Sequence, residues 1–165
     1  LGSGLAFYAA DTLKLKKVAV IDDRTAYGQG VADIFKKTAK EKGMTVVDEQ
    51  FTTDKATDFM AILTAVKAKG PDAIFYGGMD PQAGPMLRQM EQLGMGKVKF
   101  FGGDGICTSE LAKLSGGSKT LGNVVCMTLY EKKSSSLGLG SLPKGDQTSG
   151  DATDSSVLNK SMESR

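Results

Sequence analysis

Apolar and polar positions follow a repeating rhythm along this chain. Val18–Ile21 is a short apolar run, and it ends abruptly in Asp22, Asp23 and Arg24. A run of that kind, bounded by turn residues, predicts a buried strand. From Val31 to Lys42 the apolar positions Val31, Ile34, Phe35 and Ala39 recur at helical spacing, and Gly43 closes the pattern. Thr45–Val47, extending toward Phe51, reads as a second strand. Asp58–Lys69 reads as a helix with Phe59, Ile62, Leu63 and Val66 inward, stopped by Gly70 and Pro71. Ala73–Tyr76 is the third strand. Gln82–Leu93 is the next helix, where Pro85 is tolerable only near the first turn, so the start can slip by a residue or two. Val98–Phe101, a short helix over Ser109–Leu114 and a strand over Val124–Thr128 complete the series. Ahead of it, Leu5–Leu15 reads as a helix packed on the sheet.

Strands alternating with helices predict an α/β fold with one parallel, doubly wound sheet. Right-handed crossovers restrict the topology, and the expected strand order is the flavodoxin-like 2-1-3-4-5. Ligands in such sheets bind outside the carboxyl ends of the strands, where the order reverses. The loops after strands one, three and four therefore form the predicted functional rim.

Composition changes this picture little. A chain of 165 residues with 40% hydrophobic and 24% charged residues can bury one sizeable core. The formal net charge of +2 is too small to imply nucleic acid. The chain has no His, which excludes a His-based triad or a His-ligated metal site within it. Cys107 and Cys126 make neither a disulfide framework nor a zinc spacing, and whether they pair is left open. No apolar run is long enough to span a bilayer. The opening LGSGLAFYAADTLKLKK shows no secretory leader and starts without Met, as in a chain cut from something longer or with an altered end. From Lys132 the sequence turns Ser- and Gly-rich. The expected division is an α/β lobe over residues 1–131 and a linker-like tail over 132–165, with a short helix over Val157–Met162.

The first rim loop is Asp22-Asp23-Arg24-Thr25-Ala26-Tyr27-Gly28. Its paired carboxylates suit Mg²⁺, but one of them capping the following helix or pairing with Arg24 explains them as well. Tyr27 is expected in the loop itself, offering a hydroxyl or ring face to a ligand, or simply packing the loop. The second loop, Tyr76-Gly77-Gly78-Met79-Asp80-Pro81, has no phosphate-cradling spacing, so no cofactor is expected. The third, Phe101-Gly102-Gly103-Asp104-Gly105, presents a carboxylate between glycines that suits a ligand ammonium, or a turn residue.

The blocks VAVIDDRTAYGQG, TDFMAILTAVKAKGPDAIFYGGMDPQAGPMLRQMEQLG and FFGGDGICTSEL resemble the second lobe of periplasmic leucine/isoleucine/valine-binding proteins, type I solute-binding proteins of ABC importers. The resemblance runs in register from about Leu5 to Val125. It implies two α/β lobes with an amino acid bound between them, no enzymatic activity, a periplasmic location and an ABC permease as partner. Tyr27 matches the tyrosine of the YGxG block that helps hold the ligand. Asp104 matches the acidic residue that pairs with the ligand α-ammonium. Met79 falls where relatives often place an aromatic residue lining the pocket. Arg24 and Gln29 match no assigned ligand contact. The other lobe, which carries the carboxylate-binding groups, is missing, and the face exposed in its place favours self-association.

Two other readings compete. A receiver-like signalling domain would use Asp22 and Asp23 with Mg²⁺, but strand three ends in Phe75-Tyr76 where that reading needs a phosphorylatable Asp. A flavodoxin-like cofactor binder would need a Ser/Thr-rich phosphate loop after strand one, and this loop is not one.

Overall fold

The computed structural model describes residues 1–128. The expected tail over 132–165, with its short helix, lies outside them. Helix α1 spans Gly2–Phe7 and continues as a π-helical turn over Tyr8–Thr12. The remaining elements are β1 (Lys17–Asp22), α2 (Ala26–Glu41), β2 (Thr45–Phe51), α3 (Met60–Ala68), β3 (Ala73–Gly77), α4 (Asp80–Gln92), β4 (Lys99–Gly102), α5 (Leu111–Leu114), a 3₁₀ turn over Lys119–Asn123, and β5 (Val124–Cys126). The five strands form one sheet in the order β2-β1-β3-β4-β5, with every pair parallel. That is the topology expected from the sequence.

The sheet buries both faces because its central strands are apolar at nearly every position. β1 and β3 run as apolar strands rather than as alternating ones, as helix-covered parallel strands should. On one face Val18, Val20, Phe75, Phe101 and Val125 pack with Leu5 of α1 and Ala32 and Phe35 of α2. Phe35 stacks on Phe75 with ring centroids 4.3 Å apart. On the other face Ala19, Ile21, Ile74, Tyr76 and Phe100 pack with Leu63 and Val66 of α3 and Met86, Leu87 and Met90 of α4. The register aligns Val20 with Phe75 and Phe75 with Phe101, so one row of large side chains crosses the sheet under α2.

Several element boundaries differ from expectation, each for a local reason. The single helix expected over Leu5–Leu15 changes to a π turn at Tyr8, and Lys14 is left-handed at φ 59°. α2 begins at Ala26 rather than Val31 because Thr25 caps it: the Thr25 Oγ1 accepts the Gly28 N–H at 3.0 Å. α4 begins at Asp80, which places Pro81 in the first turn but leaves Pro85 inside the helix. Pro85 has no N–H to give the Pro81 carbonyl, and the helix continues because Ala83, Met86, Leu87 and Met90 are fully buried around it. Gly43 and Gly70 end α2 and α3 at positive φ, as the sequence indicated, and Gly94 ends α4 in the same way.

Candidate functional site

The carboxyl ends of β1, β3 and β4 bring three loops together. Asp23 N–H donates to the Gly77 carbonyl at 3.0 Å, tying the first loop to the end of β3. Gly28 and Gly77 then meet face to face. A Cβ on Gly28 would lie 2.5 Å from the Gly77 oxygen, and one on Gly77 would lie 2.3 Å from the Gly28 oxygen. Neither position admits a side chain without moving backbone, so these glycines bring the first turn of α2 directly onto the end of β3.

That approach places Tyr27. It lies in the first turn of α2, not in a loop before it, which corrects the expectation from the sequence. The missed signal was Thr25: a capping residue outweighs the low helix propensity of two glycines. The Tyr27 hydroxyl donates to Asp104 Oδ1 at 2.9 Å and accepts the Gly105 N–H at 3.2 Å. A Cβ on Gly103 would lie 2.7 Å from that hydroxyl, so the glycines flanking Asp104 let its loop close over the phenol. Burial pushes the Tyr27 phenol up to about 12, and the neighbouring Asp104 carboxylate adds to the rise while the Gly105 N–H opposes it. Tyr27 is therefore a neutral hydroxyl across the ordinary pH range, and Asp104 accepts from it.

Asp104 is exposed at the tip of the β4–α5 loop. Beside it is an open depression of about 510 Å³, lined by Met79, Asp80, Pro81, Asp104, Gly105 and Thr108. Met79 is 46% exposed. Its sulfur packs where a Cβ on Gly105 would stand, at 2.6 Å. Thr108 Oγ1 donates to Asp80 Oδ2 at 2.6 Å and joins the second loop to the third. The structure thus brings together all three residues singled out in the sequence, Tyr27, Met79 and Asp104. Sequence reasoning missed the Gly105 N–H and Thr108. Neither carries a local signal, because each acts through a contact across the rim.

The carboxylate pair after β1 is engaged by the protein. Asp22 accepts the Arg24 backbone N–H at 2.8 Å and the guanidinium at 2.9 and 3.1 Å. Asp23 Oδ1 accepts the Thr25 N–H at 3.0 Å and its hydroxyl at 2.6 Å. Arg24 itself is left-handed at φ 65° and stacks 4.0 Å over the Phe51 ring. Gln29 donates to the Arg24 carbonyl at 2.8 Å, so it braces this turn. Among the described residues no group of three or more His, Cys, Asp or Glu is placed to hold a metal ion. Asp22 is thus taken up by the Arg24 ion pair and Asp23 Oδ1 by Thr25, the residue that caps α2, while Asp23 Oδ2 is buried without a hydrogen-bond partner. Because Thr25 both caps α2 and holds Asp23, Thr25→Ala is expected to cost about 1–2 kcal/mol, read as a lower urea midpoint with an unchanged slope.

A family model described as periplasmic binding protein matches residues 1–137. An amino acid binding protein of Pseudomonas aeruginosa is 38% identical over 118 residues, which is 72% of this chain and 31% of that protein. A Leu/Ile/Val-binding protein homolog of Brucella abortus is 40% identical over 109 residues, 66% of this chain and 29% of its own length. The chain thus spans about a third of these relatives. Among solved structures, a leucine binding protein from Thermotoga maritima superposes with a TM-score of 0.73 at 29% identity, over 81% of this chain and 37% of that one. A branched-chain amino acid transporter substrate binding protein from Streptococcus pneumoniae, solved with isoleucine, gives 0.66 at 29% identity over 72% and 33%.

Proposed function

The chain belongs to the periplasmic binding protein family, and on that premise we propose that it binds branched-chain or related amino acids, without catalysing a reaction, as one lobe of a solute-binding protein that feeds an ABC importer. The observation that carries this reading is the Tyr27–Asp104–Gly105 constellation at the carboxyl ends of the strands, beside a depression with an apolar wall. Asp104 takes the ligand α-ammonium through charge-assisted hydrogen bonds. Tyr27 orients Asp104 through its hydroxyl. Met79 and Pro81 offer apolar contact to an aliphatic side chain.

The relatives' names give the substrate class: one is a leucine/isoleucine/valine-binding protein homolog, and another was solved with isoleucine. Because the chain covers about a third of them, the rest of the binding apparatus is assigned to a second lobe, and a permease is the partner of the two-lobed protein. In this reading residues 1–131 form the lobe and 132–165 a tail outside it. The Cys107–Cys126 disulfide is in keeping with a periplasmic, oxidising location. A single lobe leaves the ligand half solvated, so binding by this chain alone is expected in the millimolar range or weaker (roughly 4 kcal/mol or less).

An NMR titration of the ¹⁵N-labelled chain with millimolar leucine tests the reading. Concentration-dependent shifts centred on Tyr27, Gly78 and Asp104 are expected. Shifts elsewhere, or none with any aliphatic amino acid, would overturn it.

A further inference from the structure

The loop that carries Asp104 is fastened twice to one residue. At its start, Gly102 is the register partner of Cys126 in the β4–β5 ladder. At its end, Cys107 is joined to Cys126 by a disulfide, with the two Cα atoms 5.7 Å apart. Residues 102–107 are therefore a short loop cinched at both ends onto Cys126, with Asp104 at the tip. Inside it, Ile106 N–H donates to the Gly103 carbonyl and Cys107 N–H to the Asp104 carbonyl, each at 3.2 Å. Ile106 is fully buried and packs against Gly102 so closely that a Cβ there would lie 2.3 Å from its δ-methyl.

The ladder at the base of this loop is short. β5 has three residues, and β4 pairs with it only through Phe100–Val124, Phe101–Val125 and Gly102–Cys126. Short ladders at a sheet edge open at low free-energy cost. The other fastening on this side, Thr108 to Asp80, ties the chain after Cys107 to α4 rather than to β5. Cutting the disulfide would leave the start of the Asp104 loop in β4, between β3 and the edge strand β5, and its far end held by the buried Ile106 side chain and the Thr108 hydroxyl, with no covalent tie to β5.

We propose that the Cys107–Cys126 disulfide is a positioning element of the amino-acid site: by cinching residues 102–107 onto Cys126 it holds the Asp104 carboxylate against Tyr27, and its reduction lowers ligand affinity without unfolding the sheet. This rests on the amino-acid reading given above. A carboxylate held in place before the ligand arrives loses little freedom on binding, whereas one on a loosened loop must be ordered at that moment. The disulfide touches no ligand. It acts through Asp104.

The experiment compares the oxidised chain with the same chain reduced by a phosphine, two free thiols being confirmed by titration, and with the Cys107→Ala/Cys126→Ala variant. Two quantities are read in each: the leucine affinity by NMR, and the titration of the Tyr27 ring carbon that bears the hydroxyl. The expected result is leucine binding about tenfold weaker in both disulfide-free forms, with the cross-peaks of β1, β2 and β3 unmoved and full recovery on reoxidation. The Tyr27 phenol, held up at about 12 in the closed arrangement, should fall back toward 10 as Asp104 and its loop move away. A staple that merely stabilised the fold would leave both quantities unchanged, and that result would overturn the proposal. So would loss of the β1–β3 cross-peaks on reduction even in the cold, because the bond would then serve the whole domain. If neither form binds leucine, the amino-acid reading fails and this proposal's ligand claim with it. The Tyr27 titration would still show whether the disulfide positions Asp104.

Discussion

Asp104→Ala is expected to weaken amino-acid binding about a hundredfold or more. A ligand ammonium facing Tyr27 without its carboxylate is a charge with no partner, and truncating one side of such a pair costs about 2–5 kcal/mol. Each 1.4 kcal/mol corresponds to about a factor of ten in affinity. The stability of the chain should barely change, because Asp104 is exposed and its loop is held by the disulfide and by Ile106. The measurement is the leucine titration at concentrations that saturate the unsubstituted chain, with a melting curve on the same sample. Leucine-dependent shifts should vanish while the midpoint moves by a degree or two at most. Asp104→Asn separates charge from hydrogen bonding: it keeps an acceptor for the Tyr27 hydroxyl and should still lose most of the affinity. Retention of near-normal affinity in either variant would show that the ammonium sits elsewhere.

Phe75→Ala is expected to be the most destabilising substitution of those considered, at about 3–5 kcal/mol. Phe75 is fully buried in the middle strand of the sheet, stacked on Phe35 and flanked in register by Val20 and Phe101. Removing its ring leaves a cavity between the sheet and α2 that rigid neighbours cannot refill. Against a total stability of roughly 5–15 kcal/mol, that loss takes a large share. Urea unfolding followed by circular dichroism should show a much lower midpoint. Phe51→Ala is the control: Phe51 is 48% exposed and its notable contact is the Arg24 guanidinium, so a loss of about 1 kcal/mol is expected. A comparable loss for both phenylalanines would mean that burial is not what ranks them.

The parts of this fold legible in the sequence are those whose cause is local and periodic. Val18–Ile21 and Ala73–Tyr76 could be read as buried strands because their apolar runs are short and bounded by turn residues. Right-handed crossovers restrict the topologies that an alternation of strands and helices allows, and the flavodoxin-like order expected among them is the one observed. The start of α2 was misplaced because Ala26–Gly30 has weak helix propensity, and the compensating cap lies in one side chain, Thr25. At the site, the glycines beside Asp104 suggested an accessible carboxylate. The partners of that carboxylate were not legible. Tyr27 and Asp104 are 77 residues apart in sequence, and their elements meet through the close approach of Gly28 to Gly77 and of Gly103 and Gly105 to the Tyr27 ring. The disulfide was equally hidden, since a separation of 19 residues says nothing of whether two Cα atoms stand 5.7 Å apart.

The exposed margin of β2 has a consequence for the behaviour of concentrated samples. Among the described residues β2 is a terminal strand of the sheet, with no strand paired along one of its long sides. Such a margin is a template for a second chain to join, and a flat apolar one invites fibrils. Here the middle of the strand reads Asp48-Glu49-Gln50, and Lys36 reaches over from α2 to Glu49 at 3.1 Å. A second copy laid alongside would set carboxylates near carboxylates and would have to displace that lysine. The acidic margin therefore acts as a repellent that guards against sheet-to-sheet growth, and neutralising it with Asp48→Val and Glu49→Val should turn a clear solution into one that scatters light.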